Sequence, residues 1–92
     1  MQNQTSIVGL VAEFGADAKR AKLDTDAADA AGCVIAYQVA EARYAVLKAC
    51  LFDTLAEAFN EGCGPAAIAA LNAVGVTVVT NGRPYADPRT LN

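Results

Sequence analysis

The side chains best suited to covalent or metal chemistry are three cysteines, because the sequence contains no histidine. Cys33, Cys50 and Cys63 form no C-x-x-C pair, so a zinc site of the usual four-ligand kinds cannot be assembled. Serine and cysteine nucleophiles usually need a histidine base. Cys63, between two glycines at a predicted helix end, could be exposed, but a reactive role for it is the disfavoured interpretation. The sequence therefore predicts no enzyme, no metal and no cofactor, and reduced cysteines in a cytoplasmic protein.

Carboxylates could supply acid and base chemistry instead. Asp53, Glu57 and Glu61 follow one another at i to i+4 spacing on one face of a predicted helix. Such a series is more often a solvated acidic face, and we interpret it so. No glycine-rich phosphate-binding motif is present.

The aromatic residues leave one alternative function open, which is the binding of a small anionic ligand. Tyr37, Arg43, Tyr44 and Lys48 could hold a flat anion at a subunit interface through ring faces and cations. Tyr37 and Tyr44 lie one heptad apart on a predicted core face, however. Core tyrosines with satisfied hydroxyls are the favoured interpretation.

The C-terminal segment from Arg83 to Asn92 differs in composition from the rest of the chain. It carries two prolines, which restrict the unbound peptide, among residue types that are common in binding hot spots. We expect an extended tail that binds a partner protein through Arg83, Tyr85 and Arg89. A frayed terminus is the competing interpretation.

The overall charge argues against nucleic acid as a partner. The formal net charge is −3 at pH 7, whereas phosphate-backbone binding needs clustered cations. The basic cluster of Lys19, Arg20 and Lys22 precedes acidic residues and is interpreted as a solvated helix end. The early apolar run is too short for a signal peptide or a membrane span.

The spacing of apolar residues predicts a mainly α fold in a single domain of residues 1–92. A first helix, capped by Thr5 or Ser6, should end near Lys22, and a long central helix should run from Asp24 to Glu61. At about 1.5 Å per residue that helix would overhang a compact domain of this size. Either Gly32 interrupts it or a second copy covers the overhang.

The central helix carries two apolar stripes at about 100° per residue. The core stripe is formed by Cys33, Ala36, Tyr37, Ala40, Tyr44, Leu47, Leu51, Leu55 and Ala58. The second stripe, roughly 120° around the helix, is formed by Ile35, Val39, Ala42, Val46 and Cys50. A helix with two apolar stripes needs two neighbours, and one of them is expected to be a second copy.

Glycines and prolines define the remaining elements. Gly62 to Pro65 should end the long helix and start a short third helix, which Gly75 should terminate. The β-branched run from Val76 to Thr80 predicts a short strand, and residues 83–92 form the extended tail. The fold class predicted is thus a helical hairpin with a long central helix, a short third helix, one strand and a tail.

These features together predict a non-enzymatic, self-associating protein that acts by stoichiometric protein–protein binding. The expected partners are a second copy and another protein, as for an adaptor or inhibitor of phage or mobile-element type. Neither a membrane nor nucleic acid is expected as a partner. The runner-up function is binding of a small anionic ligand at a subunit interface.

Overall fold

A computed structural model describes residues 2–78, with side chains from residue 6 onward. Three α-helices lie in that range: α1 (Gln2–Ala31), α2 (Val34–Asn60) and α3 (Gly64–Ala73). Helices α1 and α2 pack along their lengths as an antiparallel hairpin, and α3 contacts both. The predicted mainly α class is confirmed.

The predicted boundary between the first two helices is wrong. The first helix starts before Thr5 and Ser6 and continues through Lys22 to Ala31, so the central helix is shorter than expected. The predicted N-cap segment instead lies inside α1, where the Thr25 hydroxyl donates to the Ala21 carbonyl at 2.9 Å. Such back-bonding satisfies the hydroxyl within a helix, so a threonine need not start one. The interruption lies at Gly32.

All three helices of the described range end in the same hydrogen-bonded motif. A glycine with positive φ follows each helix: Gly32 at 70°, Gly62 at 84° and Gly75 at 80°. Its N–H, and that of the next residue, donate back to carbonyls of the last turn at 2.9–3.1 Å. This is the Schellman motif, which glycine favours because it has no β-carbon. The predicted ending of α3 at Gly75 is confirmed.

The first two connections repeat a glycine–cysteine turn. Cys33 follows Gly32, Cys63 follows Gly62, and each cysteine is also the N-cap residue of the next helix. The carbonyls of Cys33 and Cys63 accept the first bonds of α2 and α3, from the N–H groups of Tyr37 and Ala67. Two residues, Gly32 and Cys33, separate α1 from α2, and three residues separate α2 from α3. In the second turn, Pro65 occupies the first turn of α3, as predicted.

The predicted strand from Val76 to Thr80 is not supported. Residues 76–78 are not in a strand, and Val79 and Thr80 lie outside the described residues. Val76 follows Gly75 in the ending of α3, where its N–H donates to the Leu71 carbonyl and its side chain is 1% exposed. Val76 thus makes the hydrophobic contact that often accompanies a Schellman motif. Its β-propensity alone had predicted a strand.

The apolar core is concentrated at the end of the hairpin where α3 packs, which we call the base. Its buried members come from all three helices and the residues after them: Val11, Leu51, Phe52, Leu55, Ala58, Cys63, Ala67, Leu71 and Val76. The other end, from Ala18 to Lys48 around the Gly32 turn, we call the arm. The buried residues of the arm are all alanines: Ala18, Ala21, Ala28 and Ala40. The arm is therefore two closely packed helices with little core of their own.

Candidate interaction surface

The core stripe of α2 faces α1, as the apolar spacing predicted. Ala40, Leu51, Leu55 and Ala58 are buried, and Tyr37, Tyr44 and Leu47 are partly exposed. Only Cys33 and Ala36, beside the turn, are exposed. The phase of the helix was therefore read correctly from the sequence.

The second stripe of α2 has no neighbour within the described chain. Ile35 is 75% exposed, Val39 65% and Val46 63%, with Ala42 exposed between them. Cys50, at the end of the stripe nearer the base, is partly exposed. Single exposed apolar residues are common on protein surfaces, but three large branched ones aligned on one helix face form a patch.

The position of the second stripe follows from the helix periodicity. At about 100° per residue, the centres of the two stripes are closer to 140° apart than to the predicted 120°, so α1 cannot reach the second stripe. Helix α3 packs at the base and leaves this face of the arm open. Toward the base the same line of α2 continues with Asp53 and Glu57, which are exposed. The outer face of α2 is thus apolar in the arm and acidic at the base.

A second feature is a groove beside the Tyr44 ring, where cations from both long helices meet. The Lys22 ammonium lies 5.9 Å from the ring centroid, and the Lys48 ammonium 5.7 Å. These are cation–π distances. The groove has a volume of about 440 Å³ and is lined by Glu41, Tyr44, Ala45, Lys48, Ala49, Phe52 and Asp53. Sequence reasoning missed Lys22, although it lies ten residues before Gly32 and Tyr44 lies twelve residues after it, so the hairpin brings the two side chains together.

The charges around the groove do not favour an anion. Lys22 and Lys48 are accompanied by the carboxylates of Glu41 and Asp53. Burial raises the pKa of the Tyr44 hydroxyl, and the negative charge of Asp26 raises it further. Three carboxylates therefore stand near two ammonium groups, so the field at Tyr44 is not that of an anion site.

The other two residues proposed for an anionic ligand lie elsewhere. Arg43 does not line the groove, because it lies about 140° from Lys48 around α2. Tyr37 lines a cavity of about 150 Å³ at the hairpin turn, formed with Ala28, Asp29, Gly32, Cys33 and Val34. The structure therefore brings together Tyr44 and Lys48 but not the other two.

Tyr37 has its own polar partner beside that cavity. Its hydroxyl donates a hydrogen bond to the Glu41 carboxylate, and this bond and the Glu41 charge raise the pKa of Tyr37. A cavity of about 150 Å³ is smaller than the roughly 300–1,000 Å³ of a usual small-molecule site. We therefore assign Tyr37 a structural contact near the turn.

Residues 2–78 contain no candidate metal site and no candidate membrane-spanning helix. In that range, no group of three or more His, Cys, Asp or Glu side chains is arranged to hold a metal ion. Nor does any helix there combine the length and apolar composition needed to cross a membrane. Cys33 is exposed, and Cys63, the cysteine considered for reactivity, is buried in the base. The position of Cys63 is that of a core residue.

The tail residues predicted to bind a partner, Arg83, Tyr85 and Arg89, lie outside the described residues. Their role stays a prediction.

Comparison with known proteins adds no further identification. No family model matches the chain. Neither the curated proteins nor the solved structures include a match. A function for this chain must therefore be argued from its own residues.

Proposed function

We propose that the chain is a non-enzymatic helical protein that acts by stoichiometric binding to another protein surface, and that the second stripe of α2 is its binding surface. The observation that carries this proposal is the alignment of Ile35, Val39 and Val46 on one helix face at 63–75% exposure. Nothing in the described fold packs against them.

The energetics of burial favour a partner at this surface. Complete burial of a valine or isoleucine side chain contributes about 1.5–3 kcal/mol, so covering the exposed parts of these three contributes about 3–6 kcal/mol. The helix does not need these side chains for its own formation, since alanine, glutamate or lysine would favour it more. Branched apolar residues at exposed helix positions are therefore better explained by an interface than by the fold.

The shape of the molecule suits such a role. The described part of the chain is elongated, with principal-axis extents of 46 × 26 × 19 Å, and α3 covers only the base. Within residues 2–78, the arm therefore presents a long helix face that no other element covers. Docking of an amphipathic helix face into an apolar groove or against other helices is a recurring mode of recognition.

The alternative, a small anionic ligand, rests on the Tyr44 groove alone. Lys22 and Lys48 both approach the ring, which favours some ligand contact there. Glu41 and Asp53 in the same groove oppose an anion. We therefore rank this function second.

Site-specific photo-crosslinking tests the proposal. A photoreactive residue replaces Val39 in one variant and the exposed Glu13 of α1 in a control variant. We expect a one-to-one protein adduct at position 39, in cells or with purified components, and none at position 13. The adduct should disappear when Val46→Lys is added, because a charge then occupies the stripe. Equal labelling at both positions, or no adduct at position 39, would contradict the proposal.

A further inference from the structure

We infer that the occupant of the second stripe is a second copy of this chain, bound antiparallel. The twofold axis crosses the stripe at its midpoint, level with the peptide bond between Ala40 and Glu41 of α2. This inference rests on the proposed function and names the partner of the same surface. It depends on three properties of the described residues: the spacing of the stripe, the charges that continue it, and its area.

The spacing of the stripe is self-complementary. Its first four members, Ile35, Val39, Ala42 and Val46, are separated by four, three and four residues, which reads the same in both directions. A twofold axis at the centre therefore places Ile35 opposite Val46 of the partner copy, and Val39 opposite Ala42. Closed dimers are built from such isologous contacts, in which one patch meets itself. The small Ala42 lets the two backbones approach near the axis.

The charges on the same face select the antiparallel direction. In a parallel pair, Asp53 and Glu57 would stand against their own counterparts, and Arg43 would stand against Arg43 of the other copy. Like charges held together at an interface oppose association. In the antiparallel pair the acidic base half of each α2 extends past the Gly32 turn of the other copy. Only the apolar arm halves of the two α2 helices then face each other.

The area of the stripe sets the expected strength. With the flanking Ala36 and Ala49, the patch covers on the order of 500 Å² per copy, compared with about 800 Å² per partner in a standard interface. A contact at the small end of specific interfaces predicts a dimer that forms at micromolar or higher concentration and dissociates on dilution.

Sedimentation velocity of the full chain across about 1 μM to 1 mM tests the inference. We expect a reversible monomer–dimer equilibrium, and Val39→Lys should weaken dimerisation at least about tenfold. The matched control is Leu23→Lys, which places the same charge at an apolar α1 residue that is 58% exposed. This control should dimerise as the unsubstituted chain does. Circular dichroism of both variants should remain helical, since neither position is buried.

Cysteine pairing tests the direction and register. In a Cys33→Ser, Cys50→Ser background, a mixture of Ile35→Cys and Val46→Cys chains should form a disulfide-linked heterodimer on mild oxidation. Each variant alone should not, because neither position faces itself in the antiparallel pair. Homodimeric crosslinking of each variant alone would overturn the antiparallel arrangement.

The failure of this inference is distinguishable from that of the proposed function. If the chain stays monomeric at every concentration, the inference that a second copy occupies the second stripe is wrong. The proposed function would still hold if position 39 then gave a one-to-one adduct of a mass other than twice that of the chain, and would fail without an adduct.

Discussion

The side chain of Leu71 on α3 occupies the space that a β-carbon at Gly15 on α1 would need, with its Cδ2 atom in direct conflict with that position. Leu71 is fully buried, so it cannot turn away into solvent. A β-carbon at Gly9, six residues earlier on the same helix, would meet nothing within 4 Å. Gly15 therefore lies at a close approach between α1 and α3, and Gly9 does not.

This contrast gives a matched pair of substitutions. Gly9→Ala should stabilise the protein by about 0.5–1 kcal/mol, because alanine favours a helix interior over glycine. Gly15→Ala has the same local benefit but forces Leu71 from its position, at a cost of about 1–3 kcal/mol. Urea unfolding of the two variants should thus shift the midpoint in opposite directions. Equal stabilisation by both would show that α3 does not pack closely at Gly15.

The helix-terminating glycines should be sensitive for a different reason. Gly62 has a φ of 84° and open space around its α-carbon, so Gly62→Ala adds no clash and changes only the backbone energy. The left-handed conformation costs a residue with a β-carbon about 1–2 kcal/mol. Thermal unfolding should show that loss, and Gly62→Asn should lose less, since asparagine tolerates this conformation. A neutral Gly62→Ala would contradict the Schellman ending of α2.

Leu51 should contribute strongly to stability because it is fully buried in the base. Leu51→Ala should lower the free energy of unfolding by about 2–5 kcal/mol, through lost burial and the cavity left behind. Val39→Ala on the same helix is the control and should change it by less than about 0.5 kcal/mol in dilute solution. Chemical denaturation at low protein concentration measures both values.

Tyr44 should make the fold sensitive to alkaline pH. Its pKa is raised in the folded protein by burial and by the Asp26 charge, so the ionised form is less favourable there than in the unfolded chain. The resulting stability is complete below the ordinary tyrosine pKa of about 10 and is lost as the pH rises through the higher folded value. Stability between pH 9 and about 11.5 should therefore fall less steeply in Tyr44→Phe.

Ultraviolet difference spectroscopy provides an independent measurement. In a Tyr37→Phe, Tyr85→Phe background the phenolate signal belongs to Tyr44 alone, and Asp26→Asn should lower its pKa. An unchanged titration would show that Asp26 does not act on Tyr44.

Removal of Arg83 to Asn92 should leave the described fold intact. The buried residues of the base extend to Val76, and Val78 also packs against them, so a chain ending at Gly82 keeps this core. The melting temperature should change by less than ~4 °C, the shift that about 1 kcal/mol produces in a domain of this size. A larger drop would show that the removed residues stabilise the fold, against the prediction that they serve chiefly to bind a partner.

The large apolar residues of α2 made its orientation predictable. Leu51 and Leu55 fall on one face at helical spacing, and the same spacing separated Val39 and Val46 from them. Large apolar side chains mainly decide which face of a helix is buried, so their periodicity was sufficient to predict the buried face of α2. What the sequence could not show was whether the second stripe is covered, because that depends on a neighbour outside the helix.

The end of the first helix was mispredicted because two signals competed. Asp24 and Thr25 are good N-cap residues, and their preference competes with the helix-ending signal of Gly32. In the structure Ala28 extends the alanine packing of α1 past both residues, and tertiary contact outweighs the local preference. Gly32 followed by Cys33 was the correct signal, and Gly62 followed by Cys63 repeats it at the next turn.

The alanine packing of the arm has a consequence for its opening motions. Ala18, Ala21, Ala28 and Ala40 bury little area, whereas the base holds Leu51, Leu55 and Leu71. Regions with few buried apolar contacts open locally at lower free energy than the global unfolding of a domain. Backbone amides of the arm should therefore exchange with deuterium ahead of those at the base. A partner that covers Val39 and Val46 would slow exchange there first. Deuterium exchange in the arm would therefore report whether the second stripe is occupied.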